Sequence, residues 1–155
     1  MALEPYFYPL DAVLEWNRIY GRRGFVQFQC VLPLAASAAG LRSLLEEISA
    51  RGEASFLATI KRLGKQSFGM LSFPMEGYTL ALDFAANPGN LALVERLGAI
   101  TREHGGRIYL AKDAVTAPAD IAAGYPRLDE FRALRARYGL TGRFASHQSQ
   151  RLDIA

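Results

Sequence analysis

Lys112 closes the run Gly105-Gly106-Arg107-Ile108-Tyr109-Leu110-Ala111-Lys112-Asp113, in which two glycines lead into a short apolar segment and a cation stands just before a loop. A lysine drawn out of water needs an anion or a strong acceptor, because an unpaired buried charge is costly. Two readings of Lys112 follow. It is a solvated lysine beside Asp113, or it is a fixed cation facing a bound anionic group. Six further polar side chains, Gln27, Gln29, Thr59, Lys61, Thr79 and Asp83, fall on alternate positions of three apolar runs. In a strand that alternation puts them all on one face. Amides, hydroxyls and an ammonium gathered in this way can hold a polar ligand, or they can form an ordinary solvated sheet surface.

The sequence holds no nucleophile–base–acid arrangement, no glycine-rich phosphate loop and no metal-ligand spacing. The single cysteine, Cys30, rules out an internal disulfide and reads as core packing. His104 falls in the last turn of a predicted helix, where a cation suits the helix dipole, so it reads as a helix-end residue. The chain resembles a binding wall more than a complete catalyst.

The elements that must position these residues are legible from periodicity. Strands are predicted over Phe25 to Leu32, Ser55 to Lys61, Tyr78 to Phe84 and Arg107 to Ala111. A helix is expected from an N-cap at Ser37 to about Arg51, with Leu41, Leu44, Leu45 and Ile48 inward and Gly52 as its stop. A second opens at Asn87-Pro88 and buries Leu93, Val94, Leu97 and Ile100. A short helix follows near Pro118 to Ala123. Another runs from about Leu128 to Tyr138, with Leu128, Phe131, Leu134 and Tyr138 inward. A short helix over Pro9 to Tyr20 would half-bury Leu10, Val13, Leu14 and Trp16. Gly64 to Gly77 reads as a loop or ragged hairpin, and Gly139 to Ala155 as an excursion over the surface.

The order strand-helix-strand-strand-helix-strand is that of a ferredoxin-like α+β fold, an antiparallel sheet with both helices on one face and the first and third strands central. The helices would cover Val26, Phe28, Cys30, Ile60, Leu80 and Leu82. The polar set would lie on the opposite face, and Lys112 could join it if the chain kinks after the fourth strand.

With 155 residues the chain reads as one domain large enough for a core. Its 18 Lys+Arg against 15 Asp+Glu give a formal charge of only +3 with no basic run, which argues against a nucleic-acid partner. One cysteine and two histidines argue against a resident metal. No apolar run approaches membrane-spanning length, and Glu4, prolines and aromatics stand where a leader would be, so a cytoplasmic location is expected.

Several stretches together carry a family resemblance: PLDAVLEWNRIYG, GFVQFQCVLP, LSFPMEGYTLALDF, GGRIYLAKDAVTA, YPRLDEFRALR and FASHQSQRL. In this order they resemble the C-terminal half of vanillyl-alcohol-oxidase-type FAD-linked oxidoreductases, most closely the decaprenylphosphoryl-ribose 2-oxidase-like enzymes. The resemblance implies a substrate-binding cap domain over residues 1–155, with FAD held mainly by a domain outside this chain, on the same or a separate polypeptide. It implies an activity that oxidises a sugar or related alcohol by hydride transfer to flavin. It places Lys112 as the catalytic and cofactor-binding residue, beside the pyrimidine end of the flavin, where a fixed cation stabilises arriving negative charge. It places Gln27, Gln29, Lys61 and Thr79 in the substrate-binding wall. Thr79 and Ala81 stand where arabinan-pathway members carry an asparagine and a cysteine, so the pocket differs from theirs. Without a flavin partner, the alternative is a stand-alone ferredoxin-like domain that binds or senses a small molecule.

Overall fold

Strand β1 (Phe25–Pro33) is the centre of the sheet, and its alternation explains why. Phe28, Cys30 and Leu32 point to one side and are buried, whereas Gln27 and Gln29 point to the other. The computed structural model describes Leu3, Tyr8 and residues 13–154, the Asn17 side chain excepted. After β1 come α1 (Ser37–Ala50), β2 (Ala58–Leu63), β3 (Gly77–Ala85), α2 (Pro88–Glu103) and the two-residue β4 (Arg107–Ile108). Three short helices complete the chain, α3 (Pro118–Gly124), α4 (Leu128–Arg137) and α5 (His147–Arg151). Every strand pairing is antiparallel, and the sheet order is β2-β3-β1-β4. This is the ferredoxin-like α+β arrangement, with the first and third strands in the middle. Among the described residues no helix is long and apolar enough to cross a membrane.

The main core lies between the sheet and the two long helices. Phe28, Cys30, Leu32, Leu80, Leu82 and Phe84 meet Leu44 and Ile48 of α1 and Leu93, Val94, Leu97 and Ile100 of α2. Helix α2 starts as expected: the Asn87 side chain accepts from the Asn90 N–H, and Pro88 occupies the first turn. Its exit uses both glycines. Gly105 has a positive φ of 69°, and a Cβ on Gly106 would lie 2.5 Å from the Val31 carbonyl oxygen. The chain can enter β4 this closely only without a side chain there.

Several expected placements change. Ile60 is on the helix-facing side but 54% exposed, because β2 is an edge strand and the helices lie over β1 and β3. Strand β2 starts at Ala58 and not at Ser55, whose hydroxyl is spent on the Leu57 carbonyl and on the Asp83 N–H. Ser37 sits inside α1 instead of capping it; its hydroxyl donates to the carbonyls of Leu32 and Pro33. Leu45, Leu134 and Tyr138 face outward. In the N-terminal segment Leu10 lies outside the described residues, and Val13 and Leu14 are exposed. Among the described residues of that segment a tight helix covers Trp16–Tyr20, in which Tyr20 is the buried residue, set against Trp16, Phe25 and Phe56.

The C-terminal tail is not a surface excursion. Leu152 and Ile154 are buried with Ile121, Tyr125 and Leu128 in a second apolar cluster that also takes in Leu71 and Leu110. Tyr125 ties this cluster to the sheet by donating its hydroxyl to the Ile108 carbonyl at 2.6 Å. Burial pushes its pKa up to about 12, against the opposing pull of the Arg107 charge. The folded phenol therefore stays protonated while the unfolded one ionises near 10, so its contribution is complete below that value and is lost as pH climbs toward 12. Tyr125→Phe should lower unfolding stability by about 1 kcal/mol at neutral pH. It should also remove this alkaline loss; urea melts at neutral and alkaline pH check both effects.

Candidate functional site

The sheet face turned away from α1 and α2 is organised in cross-strand rows. Lys61, Thr79, Val31 and Arg107 are successive partners across all four strands. The next row is Thr59, Ala81 and Gln29, and the one after pairs Asp83 with Gln27. Phe25, opposite Ala85, ends the face under Trp16 and Tyr20.

Side chains within this face bind one another. Gln27 Nε2 donates to Asp83 Oδ1 at 3.0 Å, and Gln29 Nε2 donates to Thr79 Oγ1 at 3.0 Å. The Thr79 hydroxyl donates in turn to the Cys30 carbonyl at 2.7 Å. Asp83 and Thr79 are buried, and among the described residues Asp83 Oδ2 and the neighbouring Tyr20 hydroxyl have no hydrogen-bond partner. Burial, reinforced by the Asp83 charge, raises the Tyr20 pKa.

Lys112 reaches this face by a kink. The expected fourth strand to Ala111 stops at Ile108, although the Tyr109 N–H still donates to the Gln29 carbonyl at 2.8 Å. A tight helical turn, Leu110–Lys112, then swings the lysine over the sheet. The result is a small cleft of about 90 Å³ lined by Gln29, Thr59, Lys61, Thr79, Ala81 and Lys112. Four of the five residues to which the family resemblance gave a site role thus share one cleft. Gln27 does not line it and stands one step along β1, beside Asp83. The lining holds two ammonium groups and no carboxylate. Such a cleft attracts an anion, and its amide and hydroxyl groups can bind a ligand's hydroxyls. Among the described residues no group of three or more His, Cys, Asp or Glu is placed to hold a metal ion.

The acid next to Lys112 is engaged elsewhere. The Asp113 side chain is completely buried and accepts from the Thr116 N–H, from Gln148 Nε2 at 3.0 Å and from the Arg151 guanidinium. Gln148 Nε2 also donates to the Leu110 carbonyl at 2.6 Å, and Arg151 to the Thr116 carbonyl. Helix α5 therefore clamps the turn that carries Lys112 and removes the carboxylate that would otherwise neutralise it. Sequence reasoning missed this pair. The available signal was Ser146, a good N-cap, followed by Gln148 and Arg151 three apart and so on one helix face.

Arg107, read from sequence only as the start of a strand, is 4% exposed. It donates to the Ser72 carbonyl and Gln66, and lies over the Tyr125 ring at 5.2 Å. Burial lowers its pKa, and among the described residues its Nε has no partner. Cys30 is the core residue it was expected to be, with burial pushing its thiol up to about 11.

No family model matches the chain. It is 38% identical over 152 residues to a decaprenylphosphoryl-β-D-ribose oxidase of Mycolicibacterium smegmatis, an alignment covering 98% of this chain and 33% of that protein. It is 35% identical over 144 residues to an uncharacterised Streptomyces coelicolor protein from the mprA 5′ region, covering 92% of this chain and 39% of that protein. The chain spans between a third and two fifths of the length of these curated relatives.

The clamp is open to a direct check. Arg151→Ala strips the buried Asp113 carboxylate of its cationic partner and should cost roughly 3 kcal/mol of unfolding stability. Arg151→Lys should recover part of it, as read from denaturant midpoints.

Proposed function

We propose that this chain is the substrate-binding, C-terminal portion of an FAD-linked oxidase that oxidises a sugar or related alcohol. The observation that carries the reading is the cleft itself. Lys112 and Lys61 converge on amide and hydroxyl groups with no acid in the lining, and Asp113 is sequestered by α5. Identity of 38% over nearly the whole chain to a protein named as a sugar oxidase supports the same reading, and the short span of that relative supports a further domain to hold the cofactor.

The residues present fit a flavin edge. FAD, when bound by such a domain, would supply the hydride acceptor. Lys112, fixed by the α5 clamp, would then stand where negative charge gathers, and a cation held in place there acts without reorganisation cost. Lys61, on the opposite side of the cleft, would meet an anionic group of the substrate as a point charge. Gln29 and Thr79, with Gln27 beside them, would orient the hydroxyl-bearing carbons. The sheet face would be closed from solvent by the docked partner domain, which strengthens each of these interactions.

The test uses the full-length protein. It should carry flavin absorbance, and anaerobic mixing with a panel of sugars, sugar phosphates and alditols should bleach it. Lys112→Ala should slow that bleaching by roughly 10²–10³-fold in stopped flow. A protein that binds no flavin, or whose flavin none of the panel reduces, would sink the reading. An unchanged rate in the variant would remove Lys112 from its role.

A further inference from the structure

Gln27 and Gln29 are each held by β3 in one of their two amide orientations. A carboxylate accepts and does not donate, so the group of Gln27 that faces Asp83 Oδ1 is its NH₂. The Thr79 hydroxyl has one proton, committed to the Cys30 carbonyl at 2.7 Å, so toward Gln29 it accepts. Asp83 and Thr79 are 3% and 2% exposed, which leaves neither free to swing out and release its amide. Both glutamine oxygens are consequently turned off β3, and among the described residues neither receives a donor.

We propose that Asp83 and Thr79 are specificity-determining residues. They lock Gln27 and Gln29 with their carbonyl oxygens toward the ligand and so make this part of the face an acceptor surface. The ligand class that fits is a polyol bearing an anionic group: in the cleft a hydroxyl donates to the Gln29 amide oxygen while the anion meets Lys61 and Lys112, and a further hydroxyl reaches the Gln27 oxygen one step along β1, beyond the cleft lining. An analogue that lacks a hydroxyl leaves an amide oxygen without a donor once water is displaced, and this is the source of the discrimination. The inference rests on the reading that the cleft takes the alcohol substrate.

The experiment measures dissociation constants of ribose 5-phosphate and 2-deoxyribose 5-phosphate for the full-length protein. Wild type should prefer ribose 5-phosphate by roughly 5–10-fold, the value of one hydrogen bond. Asp83→Asn supplies an NH₂ that lets the Gln27 amide turn over, and Thr79→Val removes the acceptor that holds Gln29. At least one of the two should bring the preference below about twofold, and Thr79→Ser should keep whatever preference Thr79→Val loses. Lys112→Ala should weaken both sugars alike, which marks binding in this cleft. Binding that depends on Lys112, with no hydroxyl preference or with a preference untouched by both variants, overturns this inference and leaves the oxidase reading standing. Failure of wild type to bind either sugar overturns the inference together with the reading of the cleft.

Discussion

The pairing of β1 on β3 is the constraint on which the molecule depends. Nine consecutive residues match, from Phe25 opposite Ala85 to Pro33 opposite Gly77. Because side chains alternate along a strand, a slip of one residue would turn one strand over relative to its partner. With β3 held by the helices, Phe28 and Cys30 would meet water, and Gln27 and Gln29 would enter the core. The apolar half of the pattern fixes the register because the penalty for slipping falls mainly there. The polar half is carried into alignment by the same backbone. The hydrogen bonds from Gln27 to Asp83 and from Gln29 to Thr79 exist because packing on the opposite side placed their partners directly or nearly across from them.

Charge is arranged by a second principle, the separation of neighbours. Lys112 and Asp113 are adjacent in sequence but face different surroundings, one the cleft and the other a buried pocket closed by Gln148 and Arg151. The interior acid is supplied with three donors and the cleft cation is left with none of that negative charge. A structure stable through its ion pairs alone would have no reason to keep these two apart. The separation leaves a cleft lined by two ammonium groups and no carboxylate.

Much of this was legible in the sequence where a short-range pattern decides the outcome. Period-two alternation in VQFQC, ATIK and TLALD was enough to gather Gln29, Lys61 and Thr79 on one face, and the Asn87-Pro88 start of α2 needed no tertiary information. What failed depended on distance or extent. Ile60 has the right parity for the core, but its burial depends on how far the helices reach across the sheet, and they do not cover the edge. Strand β4 ends after two residues because the chain turns beyond Tyr109, and an apolar run alone does not show where pairing stops. The α5 clamp joins groups more than thirty residues apart through a five-residue helix, too short for any periodicity to mark.

That clamp has a consequence for the order in which the molecule is completed. Chains fold broadly from the N-terminal side as they emerge during synthesis. Strands β1 to β4 and both long helices are all made before residue 112, so the sheet and its polar face can assemble early. The Asp113 carboxylate must then wait for Gln148, 35 residues later, and Arg151, 38 residues later. Until they arrive it is a solvated acid next to Lys112, free to neutralise it. The cleft acquires its positive character only when α5 docks, so a nascent chain has its sheet well before the cleft has this balance of charge.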